Sequence, residues 1–142
     1  MIYLDTNVII YAIENNEKYG KHCKQVLLEV ESGKLKAYSS VIVLVECINV
    51  LKKLNRILAK EGKKELVIRD NVDAILSLPI VWLDLNFLVI KRASEYDFDV
   101  SGIDCIHIAS MEMNSLSKII SADEDFDKVD FAKRIDPLDY KS

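Results

Sequence analysis

Apolar positions along the chain follow two rhythms. Ile2, Tyr3 and Leu4 make a short apolar run that predicts a buried first strand, and residues 35–39, 80–83 and 118–121 predict three more, with 134–136 as a last short one. Between them the apolar positions recur at helical spacing over residues 8–14, 18–32, 41–55, 65–78, 86–96 and 103–114. In the second of these helices Cys23, Val26, Leu27 and Val30 share one face, and Gly33 supplies the stop. Thr6-Asn7, Ser39 or Ser40, and Ser101 stand where helix caps are expected, and Pro79 closes the fourth helix. Residues 56–64 either prolong the third helix or break it at Gly62.

Strands alternating with helices predict an α/β fold, a three-layer α/β/α sandwich around a central parallel sheet of about four to five strands, in a single domain over residues 1–142. Sheets of this kind bind ligands beyond the carboxyl ends of their strands. Asp5 follows the first strand directly, and Asp123 follows residues 118–121 after one intervening residue. Both acids therefore fall on the edge where a ligand belongs.

Composition narrows the function classes. Half of the residues are apolar and only four glycines and two prolines occur, which suits a packed globule rather than a disordered or fibrous chain. No apolar stretch is long enough to cross a bilayer, since residues 41–51 are interrupted by Glu46 and Asn49. No basic region precedes an apolar one at the N-terminus, so a secretory signal is not expected. Cys23, Cys47 and Cys105 are odd in number and widely spaced, which fits reduced thiols and a cytoplasmic setting better than a disulfide framework or a zinc site. The net charge of -4 argues against a nucleic-acid partner until its distribution is considered. Residues 51–70 hold seven bases (Lys52, Lys53, Arg56, Lys60, Lys63, Lys64, Arg69) against three acids.

Three acids stand in apolar company. Asp5 is the only charge in residues 1–12, Glu46 the only one between Ala37 and Leu51, and Asp104 has no lysine or arginine between Ala93 and Ser117. An ionised carboxylate in such surroundings must reach a distant base, take up a proton or bind a cation. Each has a plainer explanation too. Asp104 fits the first turn of its helix, where the dipole favours negative charge, and Asp5 fits a helix cap. Carboxylates converging on one point would need a divalent cation, and oxygen-only ligands select Mg2+ or Mn2+ over zinc.

The segment Ile2-Tyr3-Leu4-Asp5-Thr6-Asn7-Val8 resembles the opening strand and D-T-N of PIN domains, VapC-type toxins in particular. Residues 39–46, from Ser39 to Glu46, resemble the family's second-strand serine and following glutamate. Asp104-Cys105-Ile106-His107-Ile108-Ala109 resembles its D-x-x-h-x-A helix, and residues 119–126, with Ser121, Asp123, Asp125 and Phe126, its T-x-D-x-D-F turn. The four pieces occur in family order and cover nearly the whole chain. Cys105 replaces a common alanine and Ser121 a common threonine.

The resemblance implies metal-dependent hydrolysis of RNA phosphodiester bonds, with Asp5, Glu46, Asp104 and Asp123 around Mg2+ or Mn2+. Asp125 shares or replaces the role of Asp123, or caps the short helix near Phe126. Thr6 and Asn7 are expected to support a carboxylate or the substrate phosphate. Ser39 either does the same or caps the third helix, the cap being the preferred reading. His107, three residues after Asp104, reads as packed or hydrogen-bonded structure, and Cys47 and Cys105 as core. Phe87, Trp82 and Tyr96 fall at core-like spacing. Lys52, Lys53 and Arg56 either guide an RNA backbone or form a solvated helix face. The VapC likeness further implies a small antitoxin protein as partner and a homodimer. Two other classes stay open: a catalytically silent PIN-like binding module, and a haloacid-dehalogenase-like phosphotransferase, although Asn7 stands where that chemistry needs a second acid.

Overall fold

The computed structural model describes residues 1–141. Five strands, β1 (Ile2–Leu4), β2 (Ala37–Ser40), β3 (Val81–Leu83), β4 (Lys118–Ile120) and β5 (Lys133–Ile135), form one sheet in the order β3-β2-β1-β4-β5. Every pairing is parallel. The strands are linked by helices α1 (Thr6–Ile13), α2 (Gly20–Glu31), α3 (Ile42–Lys60), α4 (Ile68–Ser77), α5 (Phe87–Ala93) and α6 (Gly102–Met113), and a short 3-10 helix spans Glu124–Lys128.

Alternation along the central strands sets the layers. Ile2 and Leu4 of β1 join Ile120, Ala37, Val8, Val26, Val43 and Ile75 in one core, beneath α1 to α4. Tyr3, between them, points to the other face and packs with Ile108, Met111, Ile119 and Phe126, beneath α6 and the 3-10 helix. Parallel strands covered on both faces must be apolar throughout, and β1 is buried at all of its positions. The three-layer parallel architecture expected from the sequence is the one observed.

Several local expectations are revised. α1 is capped by Asp5, whose carboxylate accepts the Thr6 N–H at 2.8 Å, not by Thr6-Asn7. Ser39 does not cap α3. Its hydroxyl, fully buried, donates to the Leu4 carbonyl at 2.8 Å and ties β2 to β1, while Ser40 Oγ accepts the Ile42 N–H at 3.2 Å. α3 continues through the undecided residues to Lys60, and the chain then turns at Gly62, whose φ of 67° suits a residue without Cβ. Asn55 holds the returning chain, donating to the Leu66 carbonyl at 2.9 Å and accepting its N–H at 2.7 Å. Phe87, expected in the core, is 78% exposed, because the Asn86 cap places it in the first turn of α5 with nothing over it among the described residues.

Candidate active site

All four acids singled out from the sequence line one cavity of about 340 Å3 at the carboxyl edge of the sheet. Each arrives on a different element: Asp5 at the β1–α1 junction, Glu46 within α3, Asp104 in the first turn of α6, and Asp123 just after β4. Thr6, Asn7, Ile10, Tyr11, Glu14 and Val50 complete the lining.

The walls are held by a dense hydrogen-bond network. Thr6 touches both neighbouring carboxylates, its N–H on Asp5 Oδ1 at 2.8 Å and its hydroxyl on Glu46 Oε1 at 2.6 Å. Asn7 donates to Asp5 Oδ2 at 3.1 Å and accepts the Ala122 N–H at 3.3 Å, so it pins the β4 loop against α1. Ser121, fully buried, donates to Asp5 Oδ2 at 2.6 Å and accepts the Asp123 N–H at 3.0 Å. Arg134 Nη1 braces the same loop through the Ser121 carbonyl at 3.0 Å.

His107 is packed and hydrogen-bonded, as its sequence context suggested, but one of its partners is a site residue. Its Nε2 lies 2.7 Å from Glu46 Oε1 and 3.7 Å from Asp5 Oδ1, and its Nδ1 lies 2.6 Å from the Tyr3 hydroxyl. Burial alone would lower its pKa, yet the hydrogen bond to Glu46 and the charges of Asp5, Glu46 and Asp104 outweigh that and raise it. Burial would raise Glu46, but the hydrogen bonds from His107 and Thr6 bring it below the ordinary carboxylate value. Burial raises Asp5, against the opposing pull of His107, Ser121 and Thr6.

For Asp104 the opposing pull of His107 and Ser101 is the weaker side. Burial, then the negative charges of Asp123 and Asp5, push its carboxyl up to about 6. Among the described residues no lysine or arginine comes within ion-pair distance of Asp5, Glu46, Asp104 or Asp123. Oxygens of Asp104, Asp123 and Asp125 lie within 4.8 Å of one another, a spacing that could hold a metal ion. Such a group of acidic oxygens, of which only Asp125 has a basic partner (Lys128), suits a hard divalent cation.

Of the two acids proposed for the last position, Asp123 lines the cavity and also caps the 3-10 helix by accepting the Asp125 N–H at 2.9 Å. The cap is therefore not Asp125, which instead pairs with Lys128 at 3.0 Å. The basic residues divide. Lys53 is seven positions after Glu46, in helical register with it, whereas Lys52 and Arg56 line a separate groove between α3 and α4 with Asn55, Glu65 and Ile68. Cys47 is fully buried with its thiol pushed up to about 12, chiefly by burial, and Cys105 packs beside Val89, Ala93 and Ala109. Sequence reasoning missed Tyr11 and Glu14. Their only signal is register, since Asn7, Ile10, Tyr11 and Glu14 repeat at helical spacing along the cavity face of α1 and its end.

A doubly covered parallel sheet that gathers carboxylates beyond its strand ends, with His107 as their one basic neighbour among the described residues, is an α/β protein with an acidic, cation-suited pocket. The family model of the PIN domain matches residues 2–132, and the chain belongs to the PIN domain family. No curated relative matches it. Among solved structures it is similar to VapC20 of Mycobacterium tuberculosis, a sarcin-ricin loop cleaving toxin, at 17% identity and a TM-score of 0.72, over 93% of this chain and 97% of that one. It is also similar to a toxin–antitoxin complex from Klebsiella pneumoniae (16% identity, TM-score 0.67, 96% and 98% covered). A third likeness is to VapBC2 from Rickettsia felis bound to a DNA fragment from their promoter (17% identity, TM-score 0.65, 95% and 98% covered). At these identities the likeness is one of fold. No helix among the described residues is long and apolar enough to cross a membrane.

Proposed function

We propose that this protein is a Mg2+- or Mn2+-dependent endoribonuclease and the toxin of a toxin–antitoxin pair, its residues 1–142 forming one PIN-like domain. The single observation behind this reading is the convergence of Asp5, Glu46, Asp104 and Asp123 on one cavity without a compensating lysine or arginine among the described residues. Burial, and then the charges of Asp123 and Asp5, raise the Asp104 carboxyl, and a bound cation would offset both the burial cost and the repulsion. A divalent ion held there supplies Lewis acidity, which makes a water nucleophilic near neutral pH and steadies the charge on a departing oxygen. The chain's own residues do the positioning. Thr6 and Asn7 fix the carboxylates of Glu46 and Asp5, and Lys53 stands along α3 in register to meet a phosphate backbone.

The toxin reading draws on the relatives, one a toxin that cleaves the sarcin-ricin loop and others toxin–antitoxin complexes. A small antitoxin protein and a homodimer follow from that reading. Exposed Phe87, Leu88 and Ile90 on α5 supply apolar surface of the kind an interface covers. A phosphotransferase using Asp5 as nucleophile is disfavoured, because Asn7 stands where that chemistry needs a second acid, and its amide serves the structure by donating to Asp5 Oδ2 and accepting the Ala122 N–H.

The decisive experiment is cleavage of a structured RNA by purified protein with Mn2+, Mg2+ or EDTA. Cleavage that requires the cation and vanishes in Asp104→Asn is the expected result. Equal cleavage by parent and variant, or in EDTA, overturns the assignment.

A further inference from the structure

A buried histidine usually satisfies one ring nitrogen on a backbone carbonyl. His107 does not. It is 1% exposed and spends both nitrogens on side chains, Nδ1 on Tyr3 and Nε2 on Glu46. Because the Glu46 partner is a carboxylate, Nε2 carries a proton and donates. Tyr3, itself fully buried, accepts the Ser40 N–H at 3.2 Å and donates to Nδ1 when the imidazole is neutral, the direction reversing when the ring is protonated. With the ring neutral, the result is a chain of aligned hydrogen bonds from the β2 backbone through β1 and α6 to α3, in which each donor strengthens the next.

Both ends of the chain matter. At the inner end the ring cannot turn, since Tyr3 and Phe126 pack edge-on against it with centroids at 5.7 Å and 6.4 Å. At the outer end Glu46 has three side-chain torsions and its side chain is 29% exposed, so on its own it would sample several positions. His107 and Thr6 both bond the same oxygen, Oε1. Among the described residues Oε2 takes no hydrogen bond, and Glu46 lines the cavity. One carboxylate oxygen is thus anchored to the sheet and the other left free.

We propose that Tyr3 and His107 are positioning residues, a buried strut that fixes the Glu46 carboxylate so that its free oxygen is presented to the cation. This rests on the metal-dependent reading above and adds to it a support reaching back to the sheet. Neither side chain lines the cavity, so neither touches the substrate. Outer partners of this kind orient a ligand and commonly hold one to two orders of magnitude in metal affinity.

The test uses full-length, metal-free protein, with Mn2+ as the probe and free Mn2+ followed by electron paramagnetic resonance. Melting temperature in EDTA is recorded alongside. In His107→Asn the amide sits where Nδ1 was and cannot reach Glu46, whereas in His107→Gln it sits where Nε2 was and can donate. Mn2+ affinity is expected to fall about 10- to 100-fold in His107→Asn and to recover most of the way in His107→Gln. Tyr3→Phe, which keeps the ring and removes only the hydroxyl, gives a smaller loss in the same direction, and it carries the test if His107→Asn fails to fold. Variants that melt lower but bind Mn2+ as the parent does show a purely structural role and overturn the proposal, as does an equal loss in Gln and Asn. A parent that binds Mn2+ no better than Asp104→Asn overturns the metal reading and this proposal together. A parent that binds while His107→Asn and Tyr3→Phe bind equally well overturns this proposal alone.

Discussion

The Thr6 hydroxyl donates to Glu46 Oε1 at 2.6 Å, joining the first turn of α1 to the second turn of α3 across forty residues of sequence. Thr6 is itself buried, and its N–H serves Asp5. One residue therefore sets the separation of two like charges. Thr6→Val keeps the shape and removes the donor, leaving Glu46 with His107 alone. A lost hydrogen bond to a charged group costs about 1.5–3 kcal/mol, less here because Glu46 is partly exposed. We expect a drop in urea midpoint together with weaker Mn2+ binding, both restored in Thr6→Ser. A Thr6→Val protein with unchanged Mn2+ affinity would show that the contact is only structural.

The acids were legible in the sequence because they break apolar runs that would otherwise be featureless. Asp5 ends a fully buried strand, and Glu46 and Asp104 interrupt two of the most apolar helices. The layered fold was legible for the same reason, since strand and helix periods alternate cleanly. What the pattern could not show is which side chains meet over long separations. Tyr3 and His107 lie 104 residues apart, and each alone looks like ordinary core. Nor could it choose between adjacent hydroxyls. Ser39 and Ser40 are chemically alike, and only strand parity sends Ser39 to the Leu4 carbonyl and leaves Ser40 to the helix end.

Asp104 makes stability depend on pH in a definite direction. Its carboxyl ionises at about 6 in the folded protein, against an ordinary carboxylate value once unfolded. Between those values the native state binds more protons, so stability falls as pH rises through that window. Asp5, raised chiefly by burial, acts in the same sense. The raised His107 does too, contributing fully at low pH and losing its contribution as pH climbs through its folded pKa. Glu46 is lowered, so its contribution is lost only as pH falls below the ordinary carboxylate value. Metal-free protein should therefore melt at a higher temperature at pH 5 than at pH 7. The difference should shrink in Asp104→Asn, and millimolar Mn2+ should raise the melting point at pH 7. Calorimetry in EDTA at the two pH values is the check, and a parent more stable at pH 7 would contradict the electrostatic account.

Ser121 offers a test of the Asp5 anchor. Its hydroxyl donates to Asp5, accepts the Asp123 N–H, and accepts from Asn7 Nδ2 at 3.2 Å. Ser121→Ala leaves the Asp123 N–H without its partner and Asp5 Oδ2 with Asn7 alone, and an unsatisfied group costs about 1–3 kcal/mol. Denaturant titration should register that loss, and cation-dependent cleavage should fall with it. Ser121→Thr keeps the hydroxyl and should retain activity. If alanine and threonine lose activity equally, the side chain matters through its volume and not through the hydroxyl.

The last acid of the site can be assigned by charge removal at two positions. Asp123 lines the cavity and caps the 3-10 helix, whereas Asp125 neighbours it but is engaged by Lys128. Asparagine caps as well as aspartate does, so Asp123→Asn keeps the accepted N–H of Asp125 and should fold with little loss of stability. What it removes is one negative charge facing Asp104, and two consequences should follow. The Asp104 carboxyl should return toward its ordinary pKa, since Asp123 is the larger of the two charges raising it. Mn2+ affinity and cleavage should drop together, by about tenfold or more for loss of a direct ligand. Asp125→Asn leaves the cavity wall intact and frees Lys128, so its effect should be the smaller one. Carbon-detected NMR titration of the Asp104 carboxyl, run beside an Mn2+ binding curve for each variant, separates the two. A larger loss in Asp125→Asn would transfer the role to Asp125 and leave Asp123 as the cap alone.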